Sequence, residues 1–418
     1  MSLTGFSYLL FVAAALFSSR LFSRNSSSHK MLLTLLSYYF YATYDWRFCT
    51  LLAIVTSANF LAGNALAGIH GRIARQWMLT SIVLFDLAIL FVFKYYDFFV
   101  APLDTLFGGG VLKTGLTTLM PVGISFFIFQ ALTYPLDISR GDVRPTRSFI
   151  DFAFFLAFFP QLLSGPIVRA SFFLPQLTGR QEDKENFALS GVPLILQGII
   201  KKVALADVLA AHIVDPAFAN PDAYSPAFLI IGLIAYSFQI YLDLSGYTDM
   251  ARGVGRIFGY ELPINFDRPY IAQSVSNYWQ RWHISMSSFF RDYLYFGIGG
   301  SKRGIVYINI IVTFVAIGLW HGAGWNFVVY GLCHGSMVAF ERWHRKRRER
   351  QGLSPNGRLV GSAIGSIILT FSFVTITRVL FRSGSLESAG DYLGAIARLE
   401  GMSNFPLTPL GAAALIVA

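Results

Sequence analysis

The sequence predicts an all-α polytopic membrane protein. Apolar residues make up 54% of its 418 residues, whereas Asp, Glu, Lys and Arg together make up only 13%. Soluble globular domains carry about a quarter charged residues, so a soluble chain of this length could not bury so much apolar surface. The apolar residues form continuous runs and do not alternate with polar ones, which favours membrane helices over a transmembrane β-barrel.

The apolar runs predict about eleven membrane-spanning helices in a single integral-membrane domain, 1–418. Several runs are shorter than the roughly 20 residues that a helix needs to cross a bilayer, which indicates re-entrant or tilted segments. In 158–177, Pro160, Pro166 and Pro175 exclude a straight helix. The runs lie near 5–19, 31–43, 48–67, 77–100, 116–137, 149–167, 187–213, 226–250, 304–319, 322–340, 359–381 and from about 405 onward.

The distribution of lysine and arginine predicts the orientation of the chain. Basic residues follow the first apolar run at Arg20, Arg24 and Lys30, and they are densest in 341–350. The loop 215–226 holds none. By the positive-inside rule, the N-terminus lies outside and the basic loops lie in the cytoplasm. The net charge of +10 is therefore explained by topology and by contact with membrane lipids, and it does not indicate nucleic-acid binding.

The longest stretch without an apolar run is 251–303. It is rich in both aromatic residues and arginine, the combination typical of helices that lie in the headgroup plane. We expect a cytoplasmic-side interfacial or re-entrant segment there. No internal repeat at a fixed period is visible, which argues against a transporter built from inverted repeats.

His321 is the first candidate for a catalytic residue. It lies in an apolar run, "AIGLWHGAGWNF", and a titratable ring at membrane depth is costly unless it has a function. An imidazole could take a proton from a hydroxyl as a general base. The alternative is a histidine at a helix contact that bonds a backbone carbonyl. We expect Gly318, Gly322 and Gly324 to break the helix and to let a ligand approach the backbone closely. We expect the indoles of Trp320 and Trp325 to exclude water from the site. Asn326 is a further candidate for the cavity.

His283 is the second candidate, in "YWQRWHISMSSFFRDYLY". On one continuous helix it would share a face with Trp279, Ser287 and Arg291. Arginines here suit an anionic group, such as the phosphates of a coenzyme. An interfacial helix that holds anionic lipid is the alternative. The candidate cavity residues of this stretch are Arg281, Trp282, Ser287, Arg291 and Asp292.

Polar residues also gather at the end of the run 226–250, where Gln239 and Asp243 are candidates for the cavity. Acidic residues near membrane depth are usually functional or paired. Asp243 and Asp249 could orient a histidine or form ion pairs with Arg252 and Arg256, and pairing is the favoured interpretation.

His334 and Glu341 lie seven residues apart in the next run and could line the same cavity, although packing explains them better. Cys49 and Cys333 indicate neither a disulfide nor a metal site. No group of His, Asp, Glu and Cys shows metal-ligand spacing, so we expect no metal.

Several specific motifs, in order over about 30–385, identify a family. Together they resemble the membrane-bound O-acyltransferase (MBOAT) superfamily, above all the bacterial branch that contains the membrane subunit of alginate O-acetylation and the teichoic-acid D-alanylation membrane protein. The motifs are "SYYFYATYDWRF", "MPVGISFFIFQALTYPLDISRG", "FAFFLAFFPQLLSGPIVRASFFLPQL", "RPYIAQSVSNYWQRWHISMSSFFRDYLY", "GLWHGAGWNFVVYGLCHG" and "RVLFRS" at 378–383.

The resemblance implies a ring of tilted helices around a thin partition, with funnels that meet near the histidine. It implies a catalytic core over 114–340, in which His321 is catalytic and His283 is a second important polar residue. The reaction implied is acyl transfer, with acetyl-CoA as a cytoplasmic substrate and no bound cofactor. The location implied is the bacterial inner membrane.

The acceptor implied is a hydroxyl of an exported polysaccharide such as alginate, reached directly or through a periplasmic SGNH-type acetyltransferase partner and the secretion machinery. D-alanyl or other acyl transfer to a cell-envelope polymer is an alternative. A polysaccharide or lipid transporter and a scaffold of a secretion complex are rivals from other classes. Alginate-type members usually extend well beyond Ala418, so the resemblance covers the central cavity and leaves partner docking at the C-terminal end open.

Overall fold

Every regular element in the described part of the chain is a helix. This confirms the predicted all-α class. The computed structural model describes residues 4–24, 26–106, 120–178, 184–302, 305–354, 361–398 and 406–418. Parts of the predicted runs at 116–137, 359–381 and 405 onward, and Arg303 at the end of 251–303, lie outside these residues.

Several of the described helices suit a bilayer. Two shorter apolar helices, Phe6–Ser19 and Val306–His321, accompany the longer ones. Among the described residues, the helices that are long and apolar enough to cross a membrane are Arg47–Gly68, Arg72–Leu106, Pro226–Ile257 and Ala363–Arg382.

The chain divides into two compact units. The first comprises Met1–Ile199 with Tyr247–Pro263, and the second comprises Ile200–Gly246 with Ile264–Ala418. The helices of the first unit are α1 Phe6–Ser19, α2 Ser27–Asp45, α3 Arg47–Gly68, α4 Arg72–Leu90, α5 Tyr96–Leu106, α6 Ile124–Arg140, α7 Phe149–Ala157, α8 Phe159–Leu162, α9 Ala170–Phe173, α10 Lys184–Leu189 and α11 Gly191–Ile199.

The second unit holds both candidate histidines. Its helical segments include two π-helical stretches, Ile200–Ala206 and Ala210–Val214, and a π-helical turn at Phe290–Tyr295. The α-helices that begin in this unit are α12 Asp207–Leu209, α13 Asp215–Ala219, α14 Pro226–Ile257, α15 Val275–Arg281, α16 Ile284–Phe289, α17 Val306–His321, α18 Trp325–Arg350, α19 Ala363–Arg382, α20 Leu386–Ala397 and α21 Pro409–Val417.

The predicted break in 158–177 is confirmed, because α7 ends before Phe158 and only short helical turns follow. The break leaves backbone groups that an unbroken helix would pair. The Phe159 N–H donates to the Ser37 hydroxyl at 3.1 Å. The Phe155 carbonyl accepts from the amides of Gln130 at 2.6 Å and Gln161 at 2.8 Å. Side chains thus replace the lost backbone bonds, as buried irregular backbone requires.

Lys30 is not a surface residue of the basic loop after the first run. Its ammonium lies 2.5 Å from the Asp151 carboxylate, and only 6% of Lys30 is exposed. The prediction that Lys30 belongs to the basic loop after the first run was therefore wrong. The carboxylate of α7 is the partner that a buried ammonium group requires.

Glycines draw α17 and α18 into close contact. A Cβ at Gly331 would lie 2.8 Å from the Val315 Cα, and one at Gly335 would lie 3.0 Å from the Ile311 Cα. The space beside Gly318 is filled by the Phe327 carbonyl. The expectation that this glycine lets a ligand approach was therefore wrong, because the neighbouring helix occupies the space, as small residues permit at helix contacts in membranes.

Candidate active site

His321 lies at an interrupted helix end, as predicted. It is the last residue of α17, and α18 begins at Trp325 after three residues that include two extended glycines, Gly322 and Gly324. The imidazole is half-buried. A half-buried ring at a helix end can contact a ligand without leaving its place in the fold.

Aromatic rings surround the His321 imidazole. Ring centroids lie 4.7 Å away for Trp320, 4.8 Å for Phe381 and 6.4 Å for Tyr330. Trp320 is buried, whereas Trp325 is 63% exposed. The prediction that Trp325 shields the site was wrong, because α18 directs this side chain outward at its first turn. Phe381 supplies the missing wall, and the motif "RVLFRS" was its only sequence signal.

His283 lies in a break between two helices. The predicted single helix through this stretch was wrong, because α15 ends at Arg281 and α16 begins at Ile284. His283 adopts the left-handed region, with φ 44° and ψ 54°, and is only 3% exposed. A non-glycine residue pays about 1–3 kcal/mol for such backbone strain, so the surrounding structure must hold it in place.

Asn265 holds the strained turn. Its side-chain oxygen accepts from the Ser285 N–H at 3.0 Å and the Ser285 hydroxyl at 2.9 Å, and its carbonyl accepts from the Ile284 N–H at 2.9 Å. These bonds satisfy N–H groups at the start of α16, which a helix cannot satisfy by itself. Asn265 was not predicted, since it lies twenty positions before the serine that it binds.

Trp320 links the two histidines. Its indole lies 5.6 Å from the His283 ring and 4.7 Å from the His321 ring, at interplanar angles of 89° and 69°. Both imidazoles therefore contact one indole within the second unit. The structure brings together the two histidines that the sequence singled out 38 positions apart.

Arg378 was missed by the sequence reasoning, although it begins the motif "RVLFRS". It is 2% exposed, and its guanidinium lies over the rings of Trp282 at 4.4 Å and Tyr270 at 5.4 Å. It donates to the Tyr278 hydroxyl and the Ser237 carbonyl, each at 2.8 Å. The aromatic faces and the two acceptors compensate the buried charge. Trp282 is a predicted cavity residue and directly precedes His283 in the sequence. It thus contacts the Arg378 guanidinium.

His334 forms a second anchor for α15. The Trp279 Nε1–H donates to His334 Nδ1 at 3.1 Å, and His334 Nε2 lies 2.9 Å from the Thr377 hydroxyl. An indole N–H can only donate, so Nδ1 accepts and a neutral ring carries its proton on Nε2. Glu341 instead accepts from the first two backbone N–H groups of α15 at 2.6 and 2.9 Å. The packing interpretation of His334 and Glu341 is confirmed.

A cavity of about 330 Å³ lies next to the segments that carry the two histidines, although neither imidazole lines it. Ile284 and Ile317 both line the cavity. Ile284 directly follows His283, and Ile317 lies one helical turn before His321. Its walls are mostly apolar, with hydroxyl groups and two arginines. The lining residues are Ser276, Trp279, Gln280, Ile284, Ser287, Ser288, Arg291, Tyr295, Ile310, Thr313, Phe314, Ile317, Val338 and Arg342.

Ser287 and Arg291 are the predicted residues that line this cavity. Arg291 pairs with Asp292 at 2.7 Å. The Arg281 guanidinium lies near the Asp267 carboxylate, at 3.5 Å, and is not part of the lining.

Two of the remaining candidates, Asp243 and Asn326, have structural contacts of their own. Asp243 pairs with Lys202 at 2.7 Å, and Gln239 is half-buried on α14. The Asn326 amide donates to the carbonyls of Leu380 at 3.1 Å and Ser383 at 2.9 Å, which ties the start of α18 to the end of α19.

The alternative partner for Asp243, an ion pair with Arg252 or Arg256, was wrong. These two arginines bind Glu261, at 3.0 and 2.7 Å. Glu261 lies outside the helix that carries both arginines, so helical spacing did not indicate it.

An all-helical membrane fold with a histidine at a broken helix end and an apolar cavity beside it is the architecture expected of an intramembrane acyltransferase. The chain matches the membrane-bound O-acyltransferase family, MBOAT, over residues 69–381. It belongs to this family and is an O-acyltransferase.

Curated relatives are named for acyl transfer to alginate, peptidoglycan or teichoic acid. The probable alginate O-acetylase AlgI of Pseudomonas putida is 36% identical over 98% of this chain and 84% of its own length. The peptidoglycan O-acetyltransferase of Helicobacter pylori is 32% identical over 91% of this chain and 76% of its own. The teichoic acid D-alanyltransferase of Streptococcus thermophilus is 28% identical over 64% of this chain and 69% of its own.

Proposed function

We propose that this O-acyltransferase transfers acetyl groups to an exported polysaccharide such as alginate, and that His321 is the general base. The observation that carries the role of His321 is its position, half-buried at the broken end of α17 and enclosed by aromatic rings. The acetyl group and the polysaccharide are supported by the names of the alginate and peptidoglycan relatives.

The proposed step is direct transfer. An imidazole nitrogen of His321 takes the proton of the acceptor hydroxyl while that oxygen attacks the thioester carbonyl. The carbon–sulfur bond breaks, and the thiolate leaves as the free thiol after it gains a proton. A variant of this step has His321 carry the acyl group transiently. His283 assists by positioning or proton handling, since its ring contacts the same indole as His321.

The cavity of about 330 Å³ is the proposed donor site. Apolar walls such as Ile284 and Ile317 suit the acyl and pantetheine portions of acetyl-CoA. Arg291 and Arg342, which line the same cavity, suit its phosphates because a guanidinium offers several donors to phosphate oxygens. Acetyl-CoA is a substrate in this proposal, and no bound cofactor is required.

The proposed setting is the bacterial inner membrane, with the N-terminus outside and the basic loops in the cytoplasm. About eleven helices would form a ring around the cavity, with 114–340 as the catalytic core and 251–303 as the cytoplasmic-side segment. The acceptor polymer would be reached directly or through a periplasmic SGNH-type acetyltransferase and the secretion machinery. The positive-inside pattern supports the orientation.

Replacement of His321 tests the proposal. In purified protein supplied with acetyl-CoA and a polysaccharide acceptor, His321→Ala should lower the acetylation rate by roughly 10²- to 10⁴-fold, the usual contribution of a general base. The variant should still insert and accumulate. His344→Ala, which changes a half-buried histidine of α18 that does not line the cavity, is the matched control and should keep full activity. Unchanged acetylation by His321→Ala would overturn the mechanism.

D-alanyl transfer to a cell-envelope polymer is the second candidate function, favoured by the similarity to teichoic acid D-alanyltransferases. The same assay distinguishes it when a D-alanyl thioester replaces acetyl-CoA. Transport without chemistry is excluded if purified protein forms an ester and the yield depends on His321.

A further inference from the structure

A second pocket, in the first unit, plays no part in the proposed reaction. It has a volume of about 220 Å³ and lies at the junction of α1 and α2. Arg20, Arg24 and His29 line it together with apolar groups that include Phe258. We call it the basic pocket, defined by those three residues.

Arg24 is held in one position in the basic pocket. Its guanidinium lies 5.4 Å from the ring centroid of Tyr260, a cation–π contact. It also occupies the space that a side chain at Gly259 would need, and Gly259 has a φ of +83°, which favours glycine. The backbone thus leaves room for the guanidinium, and its donors are oriented before any ligand arrives.

His29 supplies a buried polar group to the same pocket. It lies in the first turn of α2 and is 4% exposed. Within the described residues, its Nδ1 is buried without a hydrogen-bond partner. A buried polar atom without a partner destabilises the fold, and a ligand that bonds to it would remove that cost. The start of a helix also favours negative charge nearby.

Two acidic side chains of this unit bind cations outside the basic pocket. Asp151 pairs with Lys30 at 2.5 Å, and Glu261 accepts from Arg252 and Arg256 at 3.0 and 2.7 Å. These two carboxylates are therefore paired with cations other than those of the basic pocket.

We infer that the basic pocket binds a phosphate group, supplied either by the headgroup of an anionic phospholipid or by free phosphate. Two arginines and an imidazole offer the several N–H donors that phosphate oxygens accept. Exposed apolar side chains lie on α1 and directly after it, with Phe17 74% and Leu21 73% exposed, so acyl chains could lie along the helix. The inference does not depend on the proposed reaction.

Native mass spectrometry of the purified full chain in detergent tests it with phosphatidylglycerol and phosphatidylcholine as probes. Wild-type protein should retain phosphatidylglycerol more strongly. Arg24→Gln should weaken that binding about tenfold, since it removes charge-assisted hydrogen bonds. Arg20→Gln should weaken it less, because Arg20 is exposed. Arg144→Gln, an equal loss of charge at an exposed position outside the pocket, is the matched control and should bind as wild type.

The source of the phosphate is decided by thermal stability. If inorganic phosphate alone stabilises wild-type protein but not Arg24→Gln and displaces phosphatidylglycerol, the ligand is a free phosphate group. If only phosphatidylglycerol stabilises wild-type protein, the ligand is a lipid headgroup. Equal retention of both lipids by wild type, with no stabilisation by inorganic phosphate, would overturn the inference. Should Arg24→Gln fail to fold, Arg20→Gln and the wild-type comparison still decide.

Discussion

At the scale of single residues, His283 combines an imidazole with a backbone conformation that few side chains adopt. The left-handed region is tolerated best by glycine and asparagine. A histidine there, buried against Trp320, is held by neighbours that include the Asn265 cap of α16. The ring and the backbone can therefore be tested separately by substitution.

His283→Asn keeps a side chain that accepts the left-handed conformation but removes the imidazole. We expect near wild-type protein level and an acetylation rate about 10- to 100-fold lower, because a residue that assists proton handling contributes less than the main base. His283→Ala should lose the same activity and also some protein, since alanine tolerates this φ less well. Rates of purified variants, with membrane levels beside them, check both expectations. A fully active His283→Asn would show that the imidazole has no role in the reaction.

At the scale of elements, α15 is held from α18 and α19. Arg378 binds Tyr278 and covers Trp282, while His334 binds Trp279. These contacts fix the helix that ends two residues before His283. We therefore expect Arg378 to act as a positioning residue, without contact to the reacting atoms.

Arg378→Lys keeps the charge but loses the planar stacking on Trp282 and one of the two hydrogen bonds. We expect kcat to fall roughly tenfold and KM to change less, because Arg378 contacts Tyr278 and Trp282, neither of which lines the donor cavity. Arg378→Gln should fall further and lose protein level, since it leaves buried acceptors unpaired. Arg382→Gln, one turn later, removes an exposed pair with Asp215 and a cation–π contact with Phe218, and it serves as control. Equal kcat in Arg378→Lys and wild type would contradict the positioning role.

The sequence predicted elements where the signal was local. Prolines located the break in 158–177, and glycines located the end of α17. The break at His283 carries no such residue, because its cap comes from Asn265. Likewise, Arg378 reaches Tyr278 across 100 positions and Lys30 reaches Asp151 across 121. Contacts of this range depend on how helices pack, which helical periodicity alone does not specify.

At the scale of the whole molecule, the proposed orientation depends on which basic residues lie in loops. Lys30 no longer counts, since it is buried against Asp151. The remaining pattern is unaffected, because Arg20 and Arg24 stay in the loop that Lys30 was assigned to, and other basic loops such as the one with Arg144 are exposed. Orientation by the positive-inside rule depends on the sum over loops, so one lysine does not reverse it.

Single cysteines test this orientation in a Cys49→Ala, Cys333→Ala background. Arg144→Cys lies in the loop between α6 and α7, and Ala223→Cys lies between α13 and α14, both at exposed positions. The assay uses cells in which the outer membrane is permeabilised and the inner membrane is intact. A membrane-impermeant maleimide should label Ala223→Cys in these cells. It should label Arg144→Cys only after the inner membrane is also permeabilised. Labelling in the opposite order would invert the topology and place the donor cavity's access on the wrong side for acetyl-CoA. Equal labelling after permeabilisation shows that both thiols are reactive, so any difference in intact cells reports the side of the membrane alone.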